Sequence, residues 1–158
     1  MASDPSTDLL ERTIQLACTS ARSGGGPFGA IVARDGKILG EGSNRVTLDR
    51  DPTAHAEVIA LRAACAAVGS HVLTGAVLYT SCEPCPMCLA AAWWARVDRV
   101  VFCATRTQAA AAGFDDELLY EEVRLPLDQR RLPVKTALPH LADEPFRAWR
   151  ENDRRVPY

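Results

Sequence analysis

The feature that most constrains this chain is a pair of short motifs, His55-Ala56-Glu57 and Pro84-Cys85-Pro86-Met87-Cys88, each of which opens a predicted helix. Together they supply three side chains of the kind that zinc prefers, namely His55, Cys85 and Cys88. Cys85 and Cys88 are three positions apart, so in a helix both sulfurs lie on one face and can bind the same ion. A zinc site built from both motifs requires a fold that brings the starts of the two helices together.

The residues around these ligands favour a catalytic metal over a structural one. A helix N-terminus stabilises negative charge and so favours the thiolate forms of the cysteines. Pro84 and Pro86 fix their own φ angles and make the ligand-bearing turn rigid. Glu57, two positions after His55, is placed to exchange protons with a water in the fourth coordination position, whose pKa zinc lowers towards ~7. The combination of His-x-Glu and Pro-Cys-x-x-Cys is typical of zinc-dependent nucleobase deaminases.

Three other interpretations of the cysteines stay open at this point. Cys82 forms a Cys-x-x-Cys-x-x-Cys run with Cys85 and Cys88, and together with His55 these residues could close a structural Cys3His zinc site. An iron–sulfur cluster is a weaker interpretation, because the fourth cysteine and the proline that follows it are missing from the run. Redox chemistry at a Cys-x-x-Cys pair fits the spacing too, but it leaves His55 and Glu57 without a role.

Length and composition narrow the class of protein. The 158 residues are predicted to form a single domain over 1–158, and 47% apolar with 24% charged residues is ordinary globular composition. A formal charge of −2 excludes a polybasic nucleic-acid-binding arm. The longest apolar runs, such as 89–95, are far shorter than the ~20 residues that a membrane helix needs. Residues 1–8 hold two acids and no apolar core like that of a signal peptide, so we expect a cytoplasmic protein without a membrane partner.

The cysteine count is compatible with that compartment. Six cysteines would allow three disulfides in a small secreted protein, but a chain of this size can build its core without them, and a reducing cytoplasm keeps thiols free. The four outside the zinc motif, Cys18, Cys65, Cys82 and Cys103, are expected to be packing residues or bystanders of the metal.

A helix and a β-hairpin are predicted near the start of the chain. A capping-box pattern at Asp8, followed by apolar residues at helical spacing, predicts a helix over 8–22. Two apolar-rich runs, 27–34 and 37–42, flank Asp35-Gly36, a dipeptide that tolerates the positive φ angles of a tight hairpin turn.

The rest of the chain alternates helices and strands. Asp51-Pro52 offers an N-cap and a proline at the first helical position, so a helix is predicted from just ahead of His55 to Val68. The later predictions are a strand over 75–81, a helix over 85–96, a strand over 97–104, and helices over 115–123 and 143–152. The strand–helix–strand unit is expected to be parallel with a right-handed crossover. The sum is a mixed sheet with helices on both faces, a three-layer α/β/α domain.

Over essentially its whole length the sequence resembles the cytidine-deaminase-like zinc deaminases and, among them, the bacterial guanine deaminases. The wider resemblance rests on Asp-Pro-Thr-Ala-His-Ala-Glu at 51–57 and on Tyr-Thr-Ser-Cys-Glu-Pro-Cys-Pro-Met-Cys at 79–88. The resemblance to guanine deaminases rests on Gly-Gly-Pro-Phe-Gly at 25–29, on Ala-Gly-Phe-Asp-Asp at 112–116, and on the tail from Pro145 to Tyr158.

This resemblance implies an α/β fold of three layers with a mixed five-stranded sheet, and one zinc ion per chain held by His55, Cys85 and Cys88. The implied reaction is hydrolysis of guanine to xanthine and ammonia, with attack of a zinc-activated water on C2. Glu57 would take the proton of the water and deliver it to the ring nitrogen and the departing amine. Asp116 would be a second proton carrier near that amine.

The resemblance also implies a pocket for a small purine. Phe28 would stack on the purine, and Trp94 would line the pocket. Asn44 and the main chain near Ala56 would hydrogen-bond the edge of the base. Tyr158 would close the site from the partner subunit of a homodimer.

The resemblance also implies that the C-terminal segment, about 140–158, would be exchanged between the subunits of such a homodimer. Without the resemblance, four of these site residues have simpler interpretations. These are a strand core residue (Phe28), a turn former (Asn44), a packing or interface aromatic (Trp94) and a helix-capping acid (Asp116).

The motifs do not choose the substrate on their own. Deaminases of guanosine, cytosine or a pterin are near alternatives, although a tail that closes over the pocket favours the smaller base. A deaminase of adenosine in transfer RNA needs a cationic surface, but residues 121–158 hold eight Lys or Arg against seven Asp or Glu, a balance of +1. No nucleic-acid partner is therefore expected. A third possible class of function is a zinc-binding module without enzymatic activity.

Overall fold

The structure is a computed structural model that describes residues 5–158, and the first four positions of the acidic N-terminal segment lie outside it. The chain divides into two compact units, one that ends at Tyr120 and one over Glu121–Tyr158. A single domain over 1–158 stays a prediction. Within the described range, none of the helices combines the length and the apolar character needed to cross a membrane.

The described chain contains both helices and strands, and the strands all lie in the first unit. The helices are α1 (Pro5–Arg22), α2 (Val46–Asp49), α3 (Ala56–Val68), α4 (Pro86–Trp94), α5 (Arg106–Ala111), α6 (Asp116–Arg124) and α7 (Glu144–Glu151). The strands are β1 (Gly29–Arg34), β2 (Lys37–Ser43), β3 (Val77–Cys82) and β4 (Arg99–Ala104). Helix α6 continues into the second unit, to which α7 belongs.

A mixed sheet forms the centre of the first unit, with the strand order β2-β1-β3-β4. Strand β1 is antiparallel to β2 and β3, whereas β3 and β4 are parallel, as predicted for the strand–helix–strand unit. The predicted fifth strand was wrong for residues 5–158, because the chain after β4 folds into α5 and α6. Residues 131–138, which form neither helix nor strand, contain Pro133, which has no N–H to donate to a sheet.

Helices cover both faces of this sheet, which confirms the predicted layers. Successive residues of a strand point to opposite faces. On one face Val32 packs in a core with Ala60 of α3 and Ala92 of α4. On the other face Ile31 packs in a separate core with Leu16 of α1.

Two glycines of β2 let α3 lie very close to the sheet. A Cβ atom added at Gly42 would lie 2.3 Å from the carbonyl oxygen of Ala56, and one added at Gly40 would lie 2.5 Å from that of Ala60. Any larger residue would push the helix away. Because α3 begins directly after His55, this close packing sets the position of the first metal-binding motif over the sheet.

The start of α3 differs from the prediction. The helix begins at Ala56 with His55 as its N-cap, and not at Asp51-Pro52. Asp51 instead accepts hydrogen bonds from the backbone N–H and the hydroxyl of Thr53, so its side chain closes a local turn ahead of the helix. The preceding loop also contains the short helix α2, which the sequence did not predict.

The hairpin agrees with the prediction, and α1 is longer than predicted. Asp35 and Gly36 have φ angles of 51° and 74°, the positive values that a tight hairpin turn requires. Helix α1 begins at Pro5, so Asp8 lies in its first turn, where the helix dipole favours an acid. The other predicted helices and strands lie within a few residues of their predicted bounds, whereas α5 was not predicted.

The second unit consists of the end of α6, two short 3-10 turns and α7. Arg130 ties it together by donating hydrogen bonds to the carbonyl oxygens of Val123 and Leu125. Arg150 pairs with Asp143 at 2.9 Å. Several apolar side chains of this unit are exposed, including Leu132, Phe146 and Tyr158. Exchange of the segment 140–158 between subunits stays a prediction.

Candidate metal centre and adjoining cavity

The three predicted ligands meet at one point. His55 Nδ1 lies 3.6 Å from Cys85 Sγ and 3.5 Å from Cys88 Sγ, and the two sulfurs are 3.6 Å apart. Tetrahedral zinc, with bonds of about 2.3 Å to sulfur and about 2.0 Å to nitrogen, holds a sulfur and a nitrogen about 3.5 Å apart and two sulfurs about 3.8 Å apart. The three atoms therefore fit a zinc ion and leave its fourth position for a ligand from outside the chain.

Two helix starts bring these atoms together. His55 is the N-cap of α3 and Cys85 is the N-cap of α4, both with extended backbone, and neither uses its side chain to cap its helix. Pro86 occupies the first turn of α4, and Cys88 follows one turn after Cys85 on the same helix face. Both helix dipoles point their positive ends at the cluster, which favours thiolate ligands.

Hydrogen bonding shifts the pKa values of Cys85 and Cys88 in opposite directions. The hydrogen bond between the sulfurs, helped by the one with His55, lowers the pKa of Cys85 from its ordinary 9.0 to about 4. The same contact raises the pKa of Cys88, and the hydrogen bond with Cys85 raises the pKa of His55. A thiolate is thus favoured at Cys85, whereas zinc has to displace the protons of the other two ligands.

Glu57 lies beside the cluster without belonging to it. Its side chain is buried, with one carboxylate oxygen, Oε2, 3.4 Å from Cys88 Sγ. The other oxygen, Oε1, accepts a hydrogen bond of 3.5 Å from the hydroxyl of Thr80. Burial raises the pKa of Glu57. The carboxylate is therefore placed to exchange protons next to a metal rather than to complete its ligand set.

Cys82 lies outside the cluster, although it precedes Cys85 by only three positions. Its thiol points to the carbonyl oxygen of Thr105, at 3.8 Å. Burial raises its pKa to about 11, so it stays protonated, whereas zinc binds the thiolate. This geometry does not support the closed Cys3His site that the cysteine spacing leaves open.

A cavity of about 400 Å³ adjoins the cluster of three candidate zinc ligands. This volume falls within the range of about 300–1,000 Å³ that is typical of small-molecule sites. Residues of the metal motifs and three of the other predicted site residues line it together: His55, Glu57, Cys85, Phe28, Asn44 and Asp116. Asp116 is the first residue of α6, and burial raises its pKa.

An aromatic pair forms one wall of the cavity. The rings of Phe28 and Phe114 meet edge to face, with their centroids 4.8 Å apart and their planes at 76°. Phe114 was missed as a site residue in the sequence, although it lies in one of the motifs that carry the family resemblance. Thr80 and Glu83 were missed too, and both also lie in a motif.

Asn44 is held in a defined orientation. It is 8% exposed, and its Oδ1 accepts hydrogen bonds of 3.3 Å from the backbone N–H groups of Gly26 and Val46. Because both partners are donors, Oδ1 has to face them, and the amide nitrogen with its two N–H donors remains for a ligand in the cavity.

The other three predicted substrate-binding residues, Ala56, Trp94 and Tyr158, lie in different parts of the chain. Ala56 is fully buried in the first turn of α3, where backbone N–H groups have no partner within the helix. Trp94 ends α4, is 53% exposed and lies outside the lining of the cavity. Tyr158 lies in the second unit and is 77% exposed.

The chain is similar to known proteins in sequence and in structure. Residues 4–104 match the family of the cytidine and deoxycytidylate deaminase zinc-binding region. The chain is 49% identical over 153 residues to the guanine deaminase of Bacillus subtilis, a similarity that covers 95% of this chain and 97% of that one. An X-ray structure of guanine deaminase from Bacillus subtilis matches with a TM-score of 0.93 and 46% identity, covering 96% of this chain and 98% of that one.

A shorter similarity is found to a protein with a different named activity. A tRNA-specific adenosine deaminase of Agrobacterium fabrum is 40% identical over 109 residues, which covers 65% of this chain and 72% of that protein. The family match itself spans both metal-binding motifs and all four strands. The chain therefore belongs to the cytidine and deoxycytidylate deaminase zinc-binding family.

Proposed function

We propose that this protein is a zinc-dependent aminohydrolase that converts guanine and water to xanthine and ammonia. The observation that carries the proposal is the Glu57 carboxylate, buried beside the three-ligand cluster and lining the adjoining cavity. The near full-length similarity to a guanine deaminase supports the free base as substrate. The similarity to the tRNA enzyme leaves about a third of the chain unmatched.

Glu57 carries the proton transfers of this proposal. When zinc is bound by His55, Cys85 and Cys88, it lowers the pKa of a coordinated water towards ~7 and so supplies a nucleophile at neutral pH. The Glu57 carboxylate accepts a proton from the attacking water and passes it to the ring nitrogen beside C2. It then takes the remaining proton of the added oxygen, which becomes the C2 carbonyl, and passes it to the amine, which leaves as ammonia. Burial makes this carboxylate a stronger base than an exposed one, and the Thr80 hydroxyl orients it.

Phe28, Asn44 and the backbone near Ala56 recognise the base in the proposal, and Asp116 takes part in the chemistry. Phe28 stacks on the purine face. Asn44 donates its amide N–H groups to acceptor atoms on the purine edge, together with a backbone N–H at the start of α3, near Ala56. Asp116 carries a second proton near the departing amine, a role that its raised pKa supports.

The active protein is proposed to be a homodimer in which Tyr158 closes the site of the other subunit. The resemblance of the tail to guanine deaminases supports this proposal. Exposed aromatic side chains at the end of α4 also support a protein partner, since Trp93 and Trp94 are 72% and 53% exposed. Trp94 lines the pocket in this proposal only once the dimer has formed.

Ammonia release from a panel of substrates tests the proposed function. The zinc-loaded protein is incubated with guanine, guanosine, cytosine, a pterin and a transfer RNA, with the metal-free protein as the control. Guanine is expected to give the highest kcat/KM, with xanthine as the product. A higher value for any other substrate would replace guanine by that substrate. No release from any of them would favour a zinc module without enzymatic activity.

A further inference from the structure

A cluster of three side chains outside the predicted site connects α6 to the loop that carries Cys85. The hydroxyl of Tyr120 donates a hydrogen bond of 2.6 Å to the carbonyl oxygen of Pro84, the residue directly before Cys85. The guanidinium of Arg106 lies over the Tyr120 ring, 4.5 Å from its centroid. The backbone N–H of Arg106 donates to Glu83 Oε2 at 3.0 Å, and its guanidinium lies 3.8 Å from Oε1.

The Pro84 carbonyl is a group that α4 does not use. The first carbonyl within α4's own hydrogen-bond pattern is that of Cys85, which accepts from the Leu89 N–H at 2.9 Å. Tyr120 therefore provides a partner for a carbonyl that lies just ahead of the helix. Burial raises the pKa of Tyr120, which keeps its hydroxyl protonated as the donor.

Tyr120 and Asp116 lie on the same face of α6, one helical turn apart. Asp116 lines the cavity together with Glu83 and Cys85, which belong to the loop that Tyr120 contacts. None of the residues of α6 is fully buried, and Asp116 and Tyr120 are only partly buried, so packing alone contributes little to holding its first turn. A hydrogen bond and a ring contact at one position therefore carry more weight here than in a buried helix.

We propose that Tyr120 is a positioning residue, whose hydrogen bond to Pro84 holds the first turn of α6, and with it Asp116, against the ligand-bearing loop. This inference rests on the role of Asp116 in the proposed guanine deamination. Tyr120 does not line the cavity, so its effect is exerted through Asp116 on a proton-transfer step, and kcat rather than KM is the constant that it controls.

Amide hydrogen exchange tests the anchoring without any use of activity. Tyr120→Phe removes the hydroxyl but keeps the ring under Arg106. Tyr79→Phe, in β3 and packed on the α1 side of the sheet, is the matched control. In the zinc-loaded protein, Tyr120→Phe is expected to speed exchange over 116–124 and to leave α3 unchanged, whereas the control changes neither. Unchanged exchange over 116–124 in Tyr120→Phe would overturn the proposal.

A double-mutant cycle tests the route through Asp116. Tyr120→Phe is expected to lower kcat for guanine about 3- to 10-fold, the range for one hydrogen bond, with KM unchanged. In the Asp116→Asn background, Tyr120→Phe is expected to lower kcat less than about 2-fold. Equal losses in both backgrounds, or an unchanged kcat, would overturn the proposal. A wild-type protein that releases no ammonia from guanine would be a failure of the proposed function, and hydrogen exchange would still decide whether Tyr120 anchors α6.

Discussion

The two halves of the candidate site are built in different ways. The metal half comes from the starts of α3 and α4, which pack on the sheet, and Glu57, Cys85 and Cys88 are buried there. The substrate half comes from separate segments outside these two helices: the loop before β1, the end of β2 and the chain around the start of α6. Its residues are Phe28, Asn44, Phe114 and Asp116.

This difference separates chemistry from specificity. A metal half held by regular structure is expected to keep its ligand distances when the loops of the substrate half change. A substrate half made mostly of loop residues is expected to tolerate changes that alter the choice of base without disturbing the metal, as where a rigid scaffold carries variable loops. Variants that change one half at a time therefore test this difference, and the largest effects are expected in the metal half.

Loss of a metal ligand is expected to have the largest effect. Cys85→Ser should abolish zinc binding and ammonia release and lower the melting temperature, because metal binding is coupled to folding. Cys82→Ser is the matched control, since the Cys82 thiol points to Thr105 and not to the cluster. Metal analysis and thermal melting of both variants test this. Loss of zinc from the Cys82 variant would restore the closed Cys3His interpretation.

The proton carrier of the metal half is expected to come next. Glu57→Gln should keep zinc and substrate binding but lower kcat by at least the ~10²–10⁴-fold that is typical of a general acid–base. Glu11→Gln, an exposed position on α1, is the control for the same chemical change. Steady-state kinetics with metal analysis measure both. A Glu57→Gln variant with near-normal turnover would remove the proposed mechanism.

The tail tests whether the substrate half is complete within one chain. Deleting 156–158 is expected to leave zinc content and melting temperature almost unchanged, because Val156 and Tyr158 are exposed. Turnover of guanine should fall about 10- to 100-fold, because a residue that orients substrate and excludes water is lost.

Mixing two impaired chains tests whether the tail acts on the other subunit. Glu57→Gln combined with the chain that lacks 156–158 should regain activity, since one site of each heterodimer would have both an intact carboxylate and a tyrosine from the other chain. No recovery after verified subunit exchange would contradict a tail that acts between subunits.

The aromatic wall is expected to give the smallest effect. Phe114→Leu removes the edge-to-face contact with Phe28, so KM for guanine should rise about 2- to 10-fold while kcat and zinc content stay close to wild type. Phe102→Leu, in β4 and outside the cavity lining, is the control. A fall in kcat or zinc content in Phe114→Leu would mean that the two halves are coupled.

The same division explains what the sequence could predict. The zinc ligands His55, Cys85 and Cys88 could be predicted because helical spacing and helix starts are local properties of the chain. The hairpin, the parallel β3–β4 unit and the layers could be predicted from local patterns as well. The fifth strand came from the family resemblance alone, since only four segments of the sequence have the pattern of a strand.

The substrate half could not be assembled in this way. The contact of Phe28 with Phe114 joins residues far apart in the sequence, and no local pattern indicates it. The start of α3 was misplaced because the side chain of Asp51 binds Thr53, a choice between two local partners that the sequence does not decide. The roles of Trp94 and Tyr158 stay predictions, because they depend on a second copy of the chain.

A zinc titration tests the central claim most directly, namely that one three-ligand zinc site with Glu57 beside it performs guanine hydrolysis. Metal-free protein is titrated with zinc while the conversion of guanine to xanthine and the bound metal are measured in the same samples. The rate is expected to rise in proportion to bound zinc, to reach its limit at about one ion per chain, and to stay near background for Glu57→Gln at the same zinc content. Turnover that is independent of bound zinc, or equal in the wild type and Glu57→Gln, would contradict the account.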